Sequence, residues 1–211
     1  MRRVSALDAL ERLRQGNLRF VAENRTGRTI CDQARRRELL AGQEPFAIVL
    51  GCSDSRVPAE IVFDQGLGDL FVIRVAGNIV ASSQVGSVEF AAERYHTRLV
   101  VVLGHSQCGA ILATIAELEK PKGPRSPNLR SIVDRVRPSV EPLMEAGTRG
   151  DHEALVHRAV RANIRVAANH LRNGSPILEH LIQNEGLLVV GAEYSLETGV
   201  VDFFDGLPDA G

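Results

Sequence analysis

The stretch FAIVLGCSDSR, residues 46–56, decides how the rest of the chain is read. Its first five residues are too continuously apolar for a half-exposed strand, so they predict a central strand covered on both faces. The run breaks at Gly51 into a loop that presents Cys52, Asp54 and Arg56 together. A second apolar run, residues 99–103, ends the same way in GHSQCG and offers His105 and Cys108. Open α/β sheets bind ligands at the carboxyl ends of their strands. Set side by side, these two ends would bring two thiols, an imidazole and a carboxylate to one point.

The remaining strands and helices fit around that pair. Ser5 can cap a first helix with Leu7, Leu10, Leu13, Phe20 and Val21 on or near one stripe, and Asp32 a second over 33–41, ended by Gly42. Both precede the first strand; they either pack on their own domain or reach a second subunit as an arm. Pro58 opens a short helix over 59–63, residues 70–75 form a second strand, and Ser83 can cap a helix to about His96 with Val85, Val88, Ala92 and Tyr95 inward. After the third strand a helix begins near Cys108. Residues 120–127 are the best internal break; helices then follow over 129–146, interrupted at Pro138 and Pro142, over 151–172 behind the cap Asp151, and after Ser175-Pro176. A fourth strand, 187–194, turns through Glu197-Thr198-Gly199 into an antiparallel edge at 200–204. The class is α/β: a mainly parallel sheet of four strands plus an antiparallel edge strand, flanked by helices, with an N-terminal helical arm. One domain spans 1–211, the arm being 1–42 and the core 43–211.

Composition narrows the partners and the compartment. The 211 residues are 44% hydrophobic and 24% charged, which suits one domain with a sizeable core. A formal net charge of −1 gives no electrostatic case for a nucleic acid or a membrane surface. No apolar run approaches a membrane-spanning length, and the charged start lacks the apolar centre of a secretory signal. Three cysteines are too few for a disulfide framework, and Cys31 is left over as a reduced thiol. A cytoplasmic setting is expected.

Cys52, His105, Cys108 and Asp54 supply the sulfur, nitrogen and oxygen that zinc takes, in tetrahedral number. A cysteine at a strand end is often just a small buried residue, and Cys52 could instead be a nucleophile paired with His105. Four ligand-type residues at two matching strand ends favour zinc, and two thiols exceed what a Cys–His pair needs. Asp54 has two possible partners. On zinc it closes a four-ligand structural site; on Arg56, in two parallel hydrogen bonds, it leaves a three-ligand site open to water. A structural zinc site would have no need of the competing arginine.

CSDSR, then RVAGN, then GHSQCG, with GNLRF in the first helix and Gln43 before the strand, resembles the β-class carbonic anhydrases. The likeness runs at motif level from about Leu13 to Leu118 and more loosely to Phe204. It implies one zinc per chain on Cys52, His105 and Cys108, with Asp54 and Arg56 as the catalytic dyad and Asp54 on the metal in a closed state. It implies a lyase that hydrates carbon dioxide reversibly to bicarbonate and a proton, through hydroxide generated at the zinc. Two thiolates on the metal make activity that rises on the alkaline side the expectation. Gln43, Phe71 and Phe90 match the substrate pocket, Phe90 from the partner subunit, although many relatives carry Tyr there. The resemblance further implies a dimer with swapped N-terminal helices, often assembled into tetramers.

A zinc hydrolase of a related molecule such as carbon disulfide could use the same fold. A non-catalytic zinc-stabilised scaffold is the third reading, and Asp54–Arg56 with Gln43 speak against it. Some β-class enzymes bind inhibitory bicarbonate beside a tryptophan three residues before the first cysteine. That position is Val49 here and the chain has no tryptophan. No such site is expected, and Arg74, which matches another part of it, says little alone.

Overall fold

The continuous apolar runs do form the middle of a sheet. In the computed structural model, which describes residues 4–24, 33–120, 126–146 and 151–208, five strands lie in the order β2-β1-β3-β4-β5. They are β1 Ala47–Gly51, β2 Leu70–Arg74, β3 Leu99–His105, β4 Leu188–Tyr194 and β5 Val201–Asp205. The first four are parallel and β5 pairs antiparallel with β4, as the turn at 197–199 required. Every residue of β1 and β3 is buried, because helices cover both faces.

One face carries α4 (Ser82–Arg94), α5 (Gly109–Glu119), α6 (Pro127–Glu145), α7 (His152–Asn173) and α8 (Pro176–Asn184). Asp151 caps α7 through its side chain, as its position predicted, and Ser175 caps α8 in the same way. Ser83 does not cap α4. The cap is Ala81, whose carbonyl accepts from Gln84 and Val85, while the Ser83 hydroxyl turns to Gln84. Nor do Pro138 and Pro142 interrupt α6, which runs through both. Each proline costs about 3 kcal/mol inside a helix. Both lie on its exposed face, where water can take the carbonyls they free. The opposite face buries Val133, Val136, Val140 and Met144, each worth about 1.5–3 kcal/mol. Burial wins.

The other face is covered by α1 (Ala6–Val21) and α3 (Ala59–Val62). Ser5 caps α1, and Leu10 and Leu13 are buried, but Leu7 and Val21 are exposed and Phe20 only half-buried. The inward stripe is instead Ala6, Ala9, Leu10, Leu13, Gly16 and Asn17. Gly16 permits a close approach: a Cβ there would stand 1.9 Å from the Phe63 carbonyl oxygen. Asn17 then donates to the carbonyls of Val62 (3.2 Å) and Gly199 (2.8 Å) and accepts from the Val201 amide at 2.8 Å. Helix α1 therefore lies on its own sheet, the first of the two placements the sequence left open.

The second predicted helix is shorter, α2 at Gln33–Glu38, followed by a 3₁₀ turn Leu39–Ala41 and Gly42. Its proposed cap Asp32, the spare thiol Cys31 and residues 121–125 lie outside the described residues. Among the described residues no helix is long and apolar enough to cross a membrane.

Asn17→Ala removes all three tethers and leaves buried backbone groups unpaired, a loss of about 2–4 kcal/mol. At about 2–4 °C per kcal/mol for a chain of this size, thermal unfolding should fall by several degrees. A melting temperature unchanged in this variant would show that Asn17 does not hold α1 in place.

Candidate metal centre and active site

Parallel pairing builds the site. Gly51 of β1 sits opposite Leu103 of β3, so the residues that follow each strand emerge on neighbouring loops. Cys52, His105 and Cys108 meet there, all buried, with their ligand atoms within 4.8 Å of one another. The His105 Nδ1 lies 2.8 Å from the Ser106 carbonyl, which fixes Nδ1 as the protonated nitrogen. Nε2 faces the two sulfurs, fully buried and without a hydrogen-bond partner. A buried lone pair left this way needs an acceptor of electrons, and a metal ion is one. Two thiols and an imidazole in this arrangement fit zinc.

The turn between His105 and Cys108 has a backbone cost. Gln107 takes a left-handed φ of 56°, which returns the chain so that Cys108 stands at the N-terminus of α5. On the other side, Gly77 of the RVAGN stretch has φ 70°, and its amide donates to Cys52 Sγ at 3.3 Å. A Cβ on Gly77 would stand 2.8 Å from that of Ala110, so only glycine brings its N–H this close without displacing α5.

These contacts shape the thiols. The hydrogen bond from Cys108, helped by the Gly77 amide, pushes the Cys52 thiol down to about 4 against the opposing effect of burial. The same bond and deep burial push the Cys108 thiol up. The two thiols thus differ in how readily each gives up its proton, and a bound cation would favour both as thiolates.

Asp54 does not join the three ligands. Its Oδ1 accepts from the Arg56 amide (3.0 Å) and Nε (2.9 Å), and its Oδ2 accepts from Nη2 at 2.7 Å. Oδ2 is still only 3.9 Å from His105 Nε2, so the carboxylate stands beside the ligand set. The guanidinium holds the Asp54 carboxyl well below the usual carboxylate range. With its pKa depressed, the pair is intact above the ordinary value of 3.8 and is lost only as acid drives pH below the folded-state value.

Arg56 is about half exposed, so burial does not lock this pair. The loop does. Arg74, at the end of β2, donates through Nε to the Cys52 carbonyl (3.1 Å) and through Nη2 to the Asp54 carbonyl (2.6 Å). The clamp reaches back 20 residues to Asp54 and closes only through the β1–β2 pairing. Arg74 is thereby committed to the loop, and Val49 is fully buried between Val72 and Val101.

Gln43, Phe71 and Phe90 are brought together, but elsewhere. Phe71 pairs with Ile48 near the amino end of β1, four residues before Cys52, or about 13 Å along the strand. The Phe71 and Phe90 rings are 6.3 Å apart, each within about 6 Å of the Tyr95 ring, and the Tyr95 hydroxyl accepts from Gln43. Within one chain these three therefore stand at the opposite end of the sheet from Cys52. Phe90 is 52% exposed. Tyr95, read from sequence as an inward helix residue, turns out to be part of this cluster.

Comparison with known proteins agrees with the geometry. A family model described as carbonic anhydrase matches residues 47–201. "Carbonic anhydrase 2" of Mycobacterium tuberculosis is 39% identical over 191 residues, covering 90% of this chain and 89% of the relative. The carbonic anhydrase of Mycolicibacterium smegmatis is 39% identical over 206 residues, covering 96% and 95%. Among solved structures, one from a study of two tetrameric β-carbonic anhydrases of the ascomycete Sordaria macrospora superposes with a TM-score of 0.69 at 26% identity, over 80% of this chain and 85% of that one. Fold, ligand set and relatives converge, and the chain belongs to the β-class carbonic anhydrases, the carbonate dehydratases.

Proposed function

We propose that this chain hydrates carbon dioxide reversibly to bicarbonate and a proton, with one zinc held by Cys52, His105 and Cys108. The observation that carries the reading is Asp54, fixed on Arg56 beside a three-ligand set rather than within it. Zinc bound there supplies Lewis acidity that brings the pKa of a water toward neutrality. Asp54 Oδ2 accepts one hydrogen bond from Arg56 and keeps a lone-pair direction free. It can take the O–H of the attacking oxygen and so turn that oxygen's lone pair toward the carbon of the substrate. Because Arg56 keeps the carboxyl ionised, Asp54 acts as an acceptor throughout and the released proton goes on to solvent.

The pocket is completed by a second copy. Gln43, Phe71 and Phe90 gather too far from their own Cys52 to serve it, yet Phe90 is exposed as if to face another molecule. A homodimer that lays this cluster against the partner's metal centre gives the apolar substrate a dry wall and one amide donor; further association to a tetramer is compatible with it. The two ligand thiols must both stay reduced, which suits a cytoplasmic setting.

Cys108→Ser replaces a soft thiolate by a poor ligand and should reduce bound zinc from one per chain to a small fraction. Elemental analysis checks this, and full zinc content would remove Cys108 from the ligand set. Arg56→Ala should keep the metal but lose hydration activity by about 100-fold or more, since Asp54 is then free to move onto the fourth position. Stopped-flow turnover near wild type in zinc-replete Arg56→Ala would refute the dyad.

A further inference from the structure

Resting on that reading, we propose that Tyr95 is a positioning residue of the active site, acting through Gln43. Gln43 follows Gly42, lies on an exposed loop, and has a long side chain with several free torsions. Left alone it would sample many rotamers, at an entropic cost whenever it had to bind. Its Nε2 donates one hydrogen to the Tyr95 hydroxyl at 3.0 Å. A carboxamide nitrogen has two hydrogens, so engaging one aims the other.

Tyr95 can serve as an anchor because its own ring is fixed. Its backbone amide closes α4 on the Ala91 carbonyl. Its ring stands edge-on to Phe90, with centroids 5.8 Å apart and planes at 83°, and 6.0 Å from Phe71. The result is an apolar aromatic wall with a single oriented amide at its rim. That suits a small molecule apolar at its centre and electron-rich at its oxygen ends, such as carbon dioxide, or the planar oxyanion made from it. Phe90 carries no hydroxyl, so among these three rings the polar contact to Gln43 falls to Tyr95.

Tyr95→Phe removes the hydroxyl and keeps the ring. In the zinc-loaded protein, stopped-flow hydration should show kcat/KM for carbon dioxide about three- to tenfold lower, the worth of one neutral hydrogen bond. Zinc content and melting temperature should match wild type. In a Gln43→Ala background, itself impaired, the same change should cost nothing further. Wild-type kcat/KM in Tyr95→Phe, an undiminished loss in the Gln43→Ala background, or a drop in zinc content or melting temperature would each overturn the role. A wild-type protein without hydration activity would instead overturn the reading beneath it.

Discussion

Parallel pairing of β1 with β3 is the constraint on which the site depends. It sets Gly51 beside Leu103 and so delivers Cys52 to His105 and Cys108 across about fifty residues of intervening chain. Nothing in either loop could do this alone. The strands are held in that register by burial on both faces, the residues of β1 and β3 being wholly enclosed. A slip of one residue would reverse every side chain across the sheet. It would turn Cys52 away from the ligand set and drive the imidazole of His105 to the opposite face. Core packing thus sets the metal geometry as well as the stability.

Once the ligands meet, a second choice decides between a closed site and an open one. Asp54 Oδ2 stands 3.9 Å from His105 Nε2, close enough to reach a metal bound there, and Arg56, two positions away, holds the carboxylate with three hydrogen bonds. Locality matters here more than burial, because the guanidinium is half exposed. Arg74 holds the carbonyls on either side of this turn, so the loop cannot readily relax. The Gly77 amide acts on the sulfur of Cys52 from the other side. Together these contacts make a donor set of three with a carboxylate waiting beside it.

Much of this was legible before any coordinates, because continuous apolar runs and their breaks signal buried parallel strands and the loops after them. The antiparallel edge and the caps Ser5 and Asp151 follow from local chemistry. What was not legible depends on distant partners. The stripe of α1 turned on Gly16 and Asn17, whose partners Phe63, Val62, Gly199 and Val201 lie far along the chain. The continuity of α6 through two prolines depended on which face they occupy. The placement of Gln43, Phe71 and Phe90 away from Cys52 follows from the β1–β2 register, which no single stretch encodes.

The central claim is that Arg56 keeps Asp54 off the metal, so that the fourth position is free for chemistry. A crystal structure of the zinc-loaded protein, grown above neutral pH, tests this most directly. The account predicts Cys52, His105 and Cys108 on the metal, Asp54 still on Arg56, and no bicarbonate beside Val49. Asp54 ligating the zinc, with bicarbonate bound against Val49, would contradict it.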